Sequence, residues 1–187
     1  MLIEPTDLPG VMILTPRRFA DARGWFSETW NAAVLAGEGV TISFVQDNHS
    51  YSAHKGTLRG LHYQRPPHAQ AKLVRCTRGA IFDVAVDVRR GSPTYLKWVG
   101  ADLTADNARQ MLIPSGFLHG FVSRVADTEV QYKCSDVYAP ECDAGIRWDD
   151  PAIGVDWGLT GAPVLSDKDA AAPGVADFES PFEWAAP

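Results

Sequence analysis

The sequence predicts an all-β domain, a jelly-roll barrel with a few short helices. Thirteen prolines and sixteen glycines are spread over its 187 residues, as in chains of short strands joined by turns. The segment AIFDVAVDV, 80–88, alternates apolar and acidic side chains with the period of a strand. Helix is scarce, because only SETWNAAVLAGEG, 27–39, has a helical composition, and Gly37 and Gly39 would stop it.

Further strands are predicted where short apolar segments lie between turn residues. In chain order they are VMILTP (11–16), SFVQDNHS (43–50), KLVRC (72–76), YLKWVGADL (95–103), RQMLIP (109–114), HGFVSR (119–124) and EVQYKCSDVY (129–138). Within 80–88, Asp83 and Asp87 share the parity opposite to the valines, so we expect one buried and one partly polar face. A small barrel with polar inward positions usually encloses a ligand cavity.

Length and composition indicate one domain over residues 1–187. The chain after WDDPAIGVDW, which includes the C-terminal tail 173–187, is rich in Pro, Ala and Asp and is expected to wrap the outside of the domain. The net charge of −6 argues against a nucleic-acid or membrane-surface partner. Three cysteines without CxxC spacing are expected to be reduced thiols of a cytoplasmic protein. No basic, apolar leader follows Met1, and no apolar run of about 18 residues occurs, so we expect neither a signal peptide nor a membrane span.

The stretch LRGLHYQRPPHAQAKLVR, 58–75, raises the question of a metal site. A metal-binding cupin would carry HxH followed closely by Glu, but Gln64 stands where the second histidine would be. Gln is a poor ligand for zinc or iron, and His68, after two prolines, is predicted to lie in a turn. We therefore expect no metal and no cofactor.

His62 has two remaining interpretations from the residues alone. It could be a hydrogen-bonded structural histidine, or a base whose second ring nitrogen is held by a carboxylate. The many Asp residues leave that partner open. Tyr132 and Tyr138, six residues apart in one predicted strand, are either core residues or cavity residues. The basic residues are either solvated surface charges or phosphate ligands; they are Arg23, Arg59, Lys72 and Lys168.

Taken together, the motifs resemble the dTDP-4-dehydrorhamnose 3,5-epimerase family from about residue 10 to residue 172. The matching segments are RGWFSETWN, FVQDNHSYSAHKGTLRGLHYQRPPHAQAKLVRCTRGAIFDVAVDVRRGSP, IPSGFLHGF, YKCSDVYAPE, IRWDDPAIGVDW and LSDKDA. The resemblance implies a metal-free, cupin-like jelly roll that acts as a homodimer. It also implies a dTDP-4-keto-6-deoxy sugar substrate that is inverted at C3 and C5 on the way to dTDP-L-rhamnose.

The resemblance also implies roles for residues at matching positions. His62 would be the base beside the ketone, and Asp169 the carboxylate that orients it. Tyr132 would be the acid on the opposite face, and Lys72 would steady the enolate oxygen. The substrate-binding positions implied are Arg23, Phe26, Glu28, Gln46, Asp47, Asn48, Arg59, His119, Tyr138, Asp143 and Lys168.

Two departures and two rival functions accompany this resemblance. Asp143 stands where the family often has Glu, so the shorter side chain leaves a direct nucleotide contact open. Trp25 and Trp30 replace the more usual Phe and Tyr. One rival is an epimerase of a related sugar that inverts C3 or C5 alone. The other is a non-catalytic sugar-nucleotide-binding cupin, which would have no need of an acid and a base on opposite faces.

Overall fold

The computed structural model describes residues 1–185, and its larger sheet has six antiparallel strands. These strands are β1 (Leu2–Pro5), β2 (Met12–Thr15), β5 (Gln46–Ser52), β7 (Lys72–Arg78), β10 (Gln110–Ile113) and β12 (Thr128–Cys134). Their order across the sheet is β1-β2-β10-β7-β12-β5. Neighbours in this sheet are mostly distant in sequence, as expected when a jelly roll winds the chain between two sheets.

The second sheet has five antiparallel strands, and a separate hairpin projects from the barrel. The sheet strands are β6 (Leu58–Gln64), β8 (Ala80–Asp87), β9 (Trp98–Thr104), β11 (Phe117–Ser123) and β13 (Asp143–Gly145), in the order β13-β6-β11-β8-β9. The hairpin pairs β3 (Arg18–Asp21) with β4 (Gly24–Ser27). Helix is confined to α1 (Ala32–Gly37), α2 (Asp167–Ala170) and a 3₁₀ turn (Val175–Asp177) within the described chain. The all-β prediction is confirmed.

The five-stranded sheet is buried on both faces. Its inner face packs Ile81 and Ala85 into an apolar cluster with residues of the opposite sheet. Its outer face, with Val84, is covered by Trp157 and Phe178 from the C-terminal part of the chain. The expectation of a partly polar face on β8 is therefore wrong in one respect. Asp83 and Asp87 are both fully buried and are held by protein partners.

Several boundaries differ from the predicted ones. Helix α1 begins only at Ala32, because the Asn31 side chain accepts hydrogen bonds from two backbone N–H groups and caps it. Strand β12 ends at Cys134, so the prediction that Tyr132 and Tyr138 share one strand is wrong. Strands β1, β3, β4 and β13 were not predicted, since their short segments carry no clear alternation. None of the helices described is long and apolar enough to cross a membrane.

Candidate active site

A cleft opens between the two sheets, and both sheets contribute polar side chains to it. His62 comes from β6 of the five-stranded sheet, whereas Lys72 and Tyr132 come from β7 and β12 of the six-stranded sheet. An inner lobe of about 360 Å³ also holds Arg59 and His119. An outer lobe of about 480 Å³ shares His62, Lys72 and Tyr132 with the inner one. The cleft is thus continuous, with these three side chains at its middle.

His62 is paired with a buried carboxylate. Its Nε2 lies 2.5 Å from Oδ1 of Asp169, which is 4% exposed on the short helix α2. Burial opposes ionisation of Asp169, but the hydrogen bonds with His62 and Ser166 outweigh it and hold the pKa of Asp169 below its usual value. The ionised carboxylate accepts the Nε2–H of His62, which leaves Nδ1 of His62 as the basic nitrogen.

Helix α2 reaches His62 because its segment is fastened to the start of β6. The backbone N–H of Leu58 donates to the Val164 carbonyl at 3.0 Å, and Val164 donates in turn to Gly56 at 2.9 Å. The Ser166 side chain then accepts from the Asp169 N–H and caps the helix. The carboxylate is thus delivered by a strap outside the barrel strands, 107 positions from its histidine.

Lys72 and Tyr132 are both desolvated in the cleft. Burial lowers the pKa of the Lys72 ammonium, while Cys134, Asp143 and Asp83 oppose that shift. Burial raises the pKa of the Tyr132 phenol, with a hydrogen bond from Asn48 opposing it. Tyr132 is therefore a neutral O–H donor at neutral pH. It faces the His62 side of the cleft from the opposite sheet.

Asp83, which sequence reasoning did not assign to the site, lies beside the predicted residue His119. His119 Nε2 is 2.8 Å from Asp83 Oδ1, and both side chains are almost completely buried. Burial lowers the pKa of His119, although the Asp83 charge opposes it. The sequence did indicate a polar residue at this position, since Asp83 lies on the face of β8 that points into the barrel. Its partner, 36 residues away, could not be read from that pattern.

The outer lobe contains the predicted residues Gln46, Asn48, Tyr138, Asp143 and Lys168. The Tyr138 hydroxyl donates to Asp143 Oδ2 at 3.2 Å, and the Lys168 ammonium forms an ion pair with the same oxygen. The Gln46 side chain accepts from the Tyr138 backbone N–H at 2.9 Å. Asp143 thus ties the aromatic ring and the lysine together at the mouth of the cleft.

Four predicted binding residues do not line the middle of this cleft. Arg23 is at the turn of the β3–β4 hairpin, 90% exposed, and pairs with Asp21. Phe26 is 69% exposed on the same hairpin, and Glu28 accepts a hydrogen bond from the Asn31 side chain. Asp47 pairs with Lys133 on the alternate parity of β5 and β12, away from Tyr132. The structure therefore does not bring these four residues together with His62, Lys72 and Tyr132 within one chain.

Gln64 occupies the position at which a metal-binding cupin would have its second histidine, and its side-chain amide is hydrogen-bonded to the protein backbone. Its Nε2 donates to the carbonyls of His68 and Val137 at 2.7 and 3.1 Å, and its Oε1 accepts from the Ala139 N–H. Gln64 therefore holds the turn after β12. Over residues 1–185, no group of three or more His, Cys, Asp or Glu side chains is arranged to hold a metal ion.

The two sheets and the cleft define a class, a jelly-roll protein equipped for acid–base chemistry inside its barrel. The chain belongs to the dTDP-4-dehydrorhamnose 3,5-epimerase family, whose model matches residues 5–177. The enzyme of that name from Sinorhizobium fredii is 47% identical over 184 residues, which cover 98% of this chain and 94% of the relative.

Solved structures give the same assignment. The dTDP-6-deoxy-D-glucose-3,5-epimerase of Legionella pneumophila, solved with dTDP-4-keto-L-rhamnose, has a TM-score of 0.94 and 42% identity, with 99% of each chain covered. A 3′-monoepimerase from Streptomyces bikiniensis, solved with dTDP-quinovose, has a TM-score of 0.86 and 35% identity, with 92% of this chain and 87% of that chain covered. The likeness to the double epimerase is greater by both measures.

Proposed function

We propose that the chain is an epimerase of dTDP-4-dehydro-6-deoxy-D-glucose. It inverts C3 and C5 to give dTDP-4-dehydro-L-rhamnose in dTDP-L-rhamnose biosynthesis. One observation carries this proposal: His62, with its carboxylate, and Tyr132 project into one cleft from opposite sheets. Inversion at carbon needs a base on one face of the sugar and an acid on the other, and this arrangement supplies both.

The first half-reaction breaks a C–H bond next to the C4 ketone. Nδ1 of His62 takes the proton, while Asp169 stabilises the imidazolium through Nε2–H. The bonding electrons move to the C4 oxygen and form an enolate. The Lys72 ammonium is the cation in the cleft that offsets this developing charge.

The second half-reaction returns a proton to the other face of the same carbon. The neutral Tyr132 hydroxyl supplies it, and the enolate electrons re-form the ketone. The tyrosinate and the imidazolium then exchange protons with water before C5 or C3 reacts in turn. Arg59 binds the pyrophosphate, for which a guanidinium in a partly desolvated cleft is well suited, and Tyr138 stacks on the thymine.

Exchange in D₂O tests this proposal and both rivals. The protein is incubated with the 4-keto-6-deoxyglucose nucleotide, and deuterium is read at each carbon by NMR. The proposal expects deuterium at C3 and C5 together with the inverted sugar. Deuterium at one carbon alone would support the single-carbon epimerase. Binding without any exchange would support the non-catalytic cupin. The greater likeness to the Legionella enzyme than to the Streptomyces monoepimerase favours the double inversion.

The working form is a homodimer, in which the β3–β4 hairpin of one chain reaches the cleft of its partner. Phe19, Trp25 and Phe26 leave more than half of their surface exposed on this hairpin, which supports burial against a second chain. The same arrangement would bring Arg23 and Glu28 to a nucleotide that they do not reach within their own chain. Light scattering should give twice the 20.4 kDa chain mass. A monomer with full activity would refute the dimer.

The cytoplasm is the compartment that suits this chain. Cys76, Cys134 and Cys142 are all buried free thiols, which supports a reducing environment. Fractionation of the source cells, with the activity followed in each fraction, tests this assignment. Activity confined to an extracytoplasmic fraction would contradict it.

A further inference from the structure

Asp83 is a buried carboxylate that the proposed mechanism does not use. It lies on β8 behind His119, which lines the inner lobe, and none of its surface is exposed. Oδ1 accepts from Nε2 of His119 at 2.8 Å, across the β8–β11 pairing. Oδ2 is also buried, and it accepts no hydrogen bond from any group of residues 1–185. Burying a carboxylate oxygen in this way is costly unless a neighbouring positive charge compensates for it.

The bond to Asp83 determines which nitrogen of His119 carries the proton. A carboxylate can only accept, so Nε2 of His119 must be protonated. Burial lowers the pKa of His119, so the ring is neutral near pH 7 and its Nδ1 carries a lone pair. His119 lines the inner lobe, and Nδ1 makes no hydrogen bond among the described residues. A neutral ring of this tautomer accepts from a hydroxyl through Nδ1 but offers no N–H to a ketone.

Lys72, on the opposite sheet, lines the inner lobe together with His119, and the Asp83 charge opposes the lowering of the Lys72 pKa by burial. The charged or titratable groups that influence Lys72 are Cys134, Asp143, Asp83 and Lys168, and those that influence His119 are Asp83, Lys72 and His62. Within residues 1–185, no carboxylate lies within 4.0 Å of the Lys72 ammonium as a direct ion-pair partner. Asp83 is thus a nearby charge that favours the ammonium form without occupying its hydrogen-bond donors.

We propose that Asp83 is a positioning residue that determines which cleft groups donate and which accept hydrogen bonds, namely His119 and Lys72. It holds His119 as an Nε2–H tautomer, so that Nδ1 accepts from a sugar hydroxyl, and its negative charge favours the ammonium form of Lys72, the donor to the ketone oxygen. This inference rests on the proposed epimerase function and adds a specificity element to it. The substrate selected is a keto sugar with a free hydroxyl beside the reacting carbons.

Nitrogen-15 NMR of the wild-type protein tests the first half directly. The His119 ring should show a pyrrole-type Nε2 and a pyridine-type Nδ1 at pH 7, with Asp83→Asn and His119→Gln used to assign the signals. A wild-type His119 that carries its proton on Nδ1, or on both nitrogens, would overturn the inference. This measurement needs no catalytic turnover, so it stands even if the proposed function fails.

The Asp83→Asn variant tests the second half. An amide in place of the carboxylate can donate to Nε2 and reverse the tautomer, so kcat should fall on the order of 10²-fold or more. The pKa of Lys72 should fall further without the negative charge, so the alkaline limb of the kcat/KM profile should move to lower pH.

The control is Asp102→Asn on the neighbouring strand β9, an exposed aspartate whose replacement should change neither kcat nor the alkaline limb. A folded Asp83→Asn enzyme with wild-type kcat and an unmoved alkaline limb would refute the proposal. A wild type without turnover would instead reject the epimerase assignment.

Discussion

At the scale of single residues, the cleft depends on Asp169, a buried carboxylate that is kept ionised. Asp169 is held ionised by hydrogen bonds from His62 and Ser166, and this fixes the proton of His62 on Nε2. In the proposed mechanism the free Nδ1 is the base. The charge of Asp169 would then do more than orient the ring, because it would stabilise the imidazolium formed when the substrate is deprotonated.

Replacing Asp169 by Asn should remove most of the catalysis. The amide can donate to Nε2 and place the His62 proton on Nδ1, which blocks the base. We expect the rate of deuterium exchange at both carbons to fall by roughly 10²–10⁴-fold. The matched control is Asp167→Asn, an exposed aspartate of the same helix, which should keep its activity. Wild-type exchange in Asp169→Asn would mean that His62 is not the base.

Asp87 illustrates a carboxylate whose role is stability. It is buried, and burial opposes its charge. Hydrogen bonds from Arg89, Ser92 and Thr94 outweigh burial and lower the pKa of Asp87. A lowered folded pKa stabilises the fold above the unfolded value of about 4 and loses that contribution as the pH falls through the folded pKa.

Asp87→Asn should therefore reduce the free energy of unfolding at pH 7 by about 1–3 kcal/mol. The difference from wild type should shrink below about pH 4, where the Asp87 carboxylate of the unfolded chain takes up a proton while that of the folded protein is still ionised. Urea unfolding at several pH values measures this, with the exposed Asp102→Asn as the control. A difference that stays constant down to pH 2 would show that the charge of Asp87 does not matter.

At the scale of elements, the position of His62 depends on the close approach of β6 and β11. A Cβ on Gly120 would lie 2.9 Å from the Arg59 carbonyl oxygen and 3.2 Å from the Gly60 Cα. On the other side of β6, a Cβ on Gly145 would lie 2.8 Å from the Leu61 carbonyl oxygen. Glycines on both neighbouring strands thus let β6 bring Arg59 and His62 to the cleft.

Gly120→Ala should push β6 away from β11. We expect a loss of about 1–3 kcal/mol in unfolding free energy. A fall in activity should accompany it, because Arg59 and His62 both shift. Gly161→Ala is the control, since a Cβ there would meet nothing within 4 Å. Thermal unfolding and the exchange assay together measure the two effects. Equal stability and activity in the two variants would contradict the close-approach account.

The sequence predicted the elements better than their partners. The alternation in 80–88 predicted β8 correctly, and the motif matches singled out His62, Lys72, Tyr132 and Asp169, which all line the inner lobe. Periodicity alone could not find that lobe, because pairing between distant strands carries no local signal. The sequence pattern identified Asp83 only as a polar residue on one face of the predicted strand. Its role depends on His119, which β11 brings beside it.

At the scale of the whole molecule, the jelly roll places the proposed acid and the proposed base on separate sheets. The five-stranded sheet carries His62, and the six-stranded sheet carries Tyr132 and Lys72. Substrate between the sheets therefore meets opposite chemistry on its two faces. The proposed mechanism assigns the electrophile's role to Lys72, which lines the cleft together with Arg59 and Lys168, and it assigns none to a metal ion. The side-chain N–H groups of Gln64 donate to backbone carbonyls.

Removal of metal ions should leave the activity unchanged. Protein treated with a strong chelator and then dialysed is expected to turn over at the rate of the untreated enzyme. Elemental analysis of the active protein provides the control for residual metal. Activity that is lost to the chelator and restored by one transition metal would contradict the assignment of Lys72 as the electrophile.

The claim that the base and the acid come from different sheets is tested most directly by the Tyr132→Phe variant in D₂O. The change removes one hydroxyl and little volume, and it leaves His62, Asp169 and Lys72 in place. Deuterium should still enter the substrate with retention of configuration. Formation of the inverted sugar should fall by roughly 10²–10⁴-fold, as for a lost general acid. If exchange and inversion fall together, or if neither falls, Tyr132 is not the separate acid and the account is wrong.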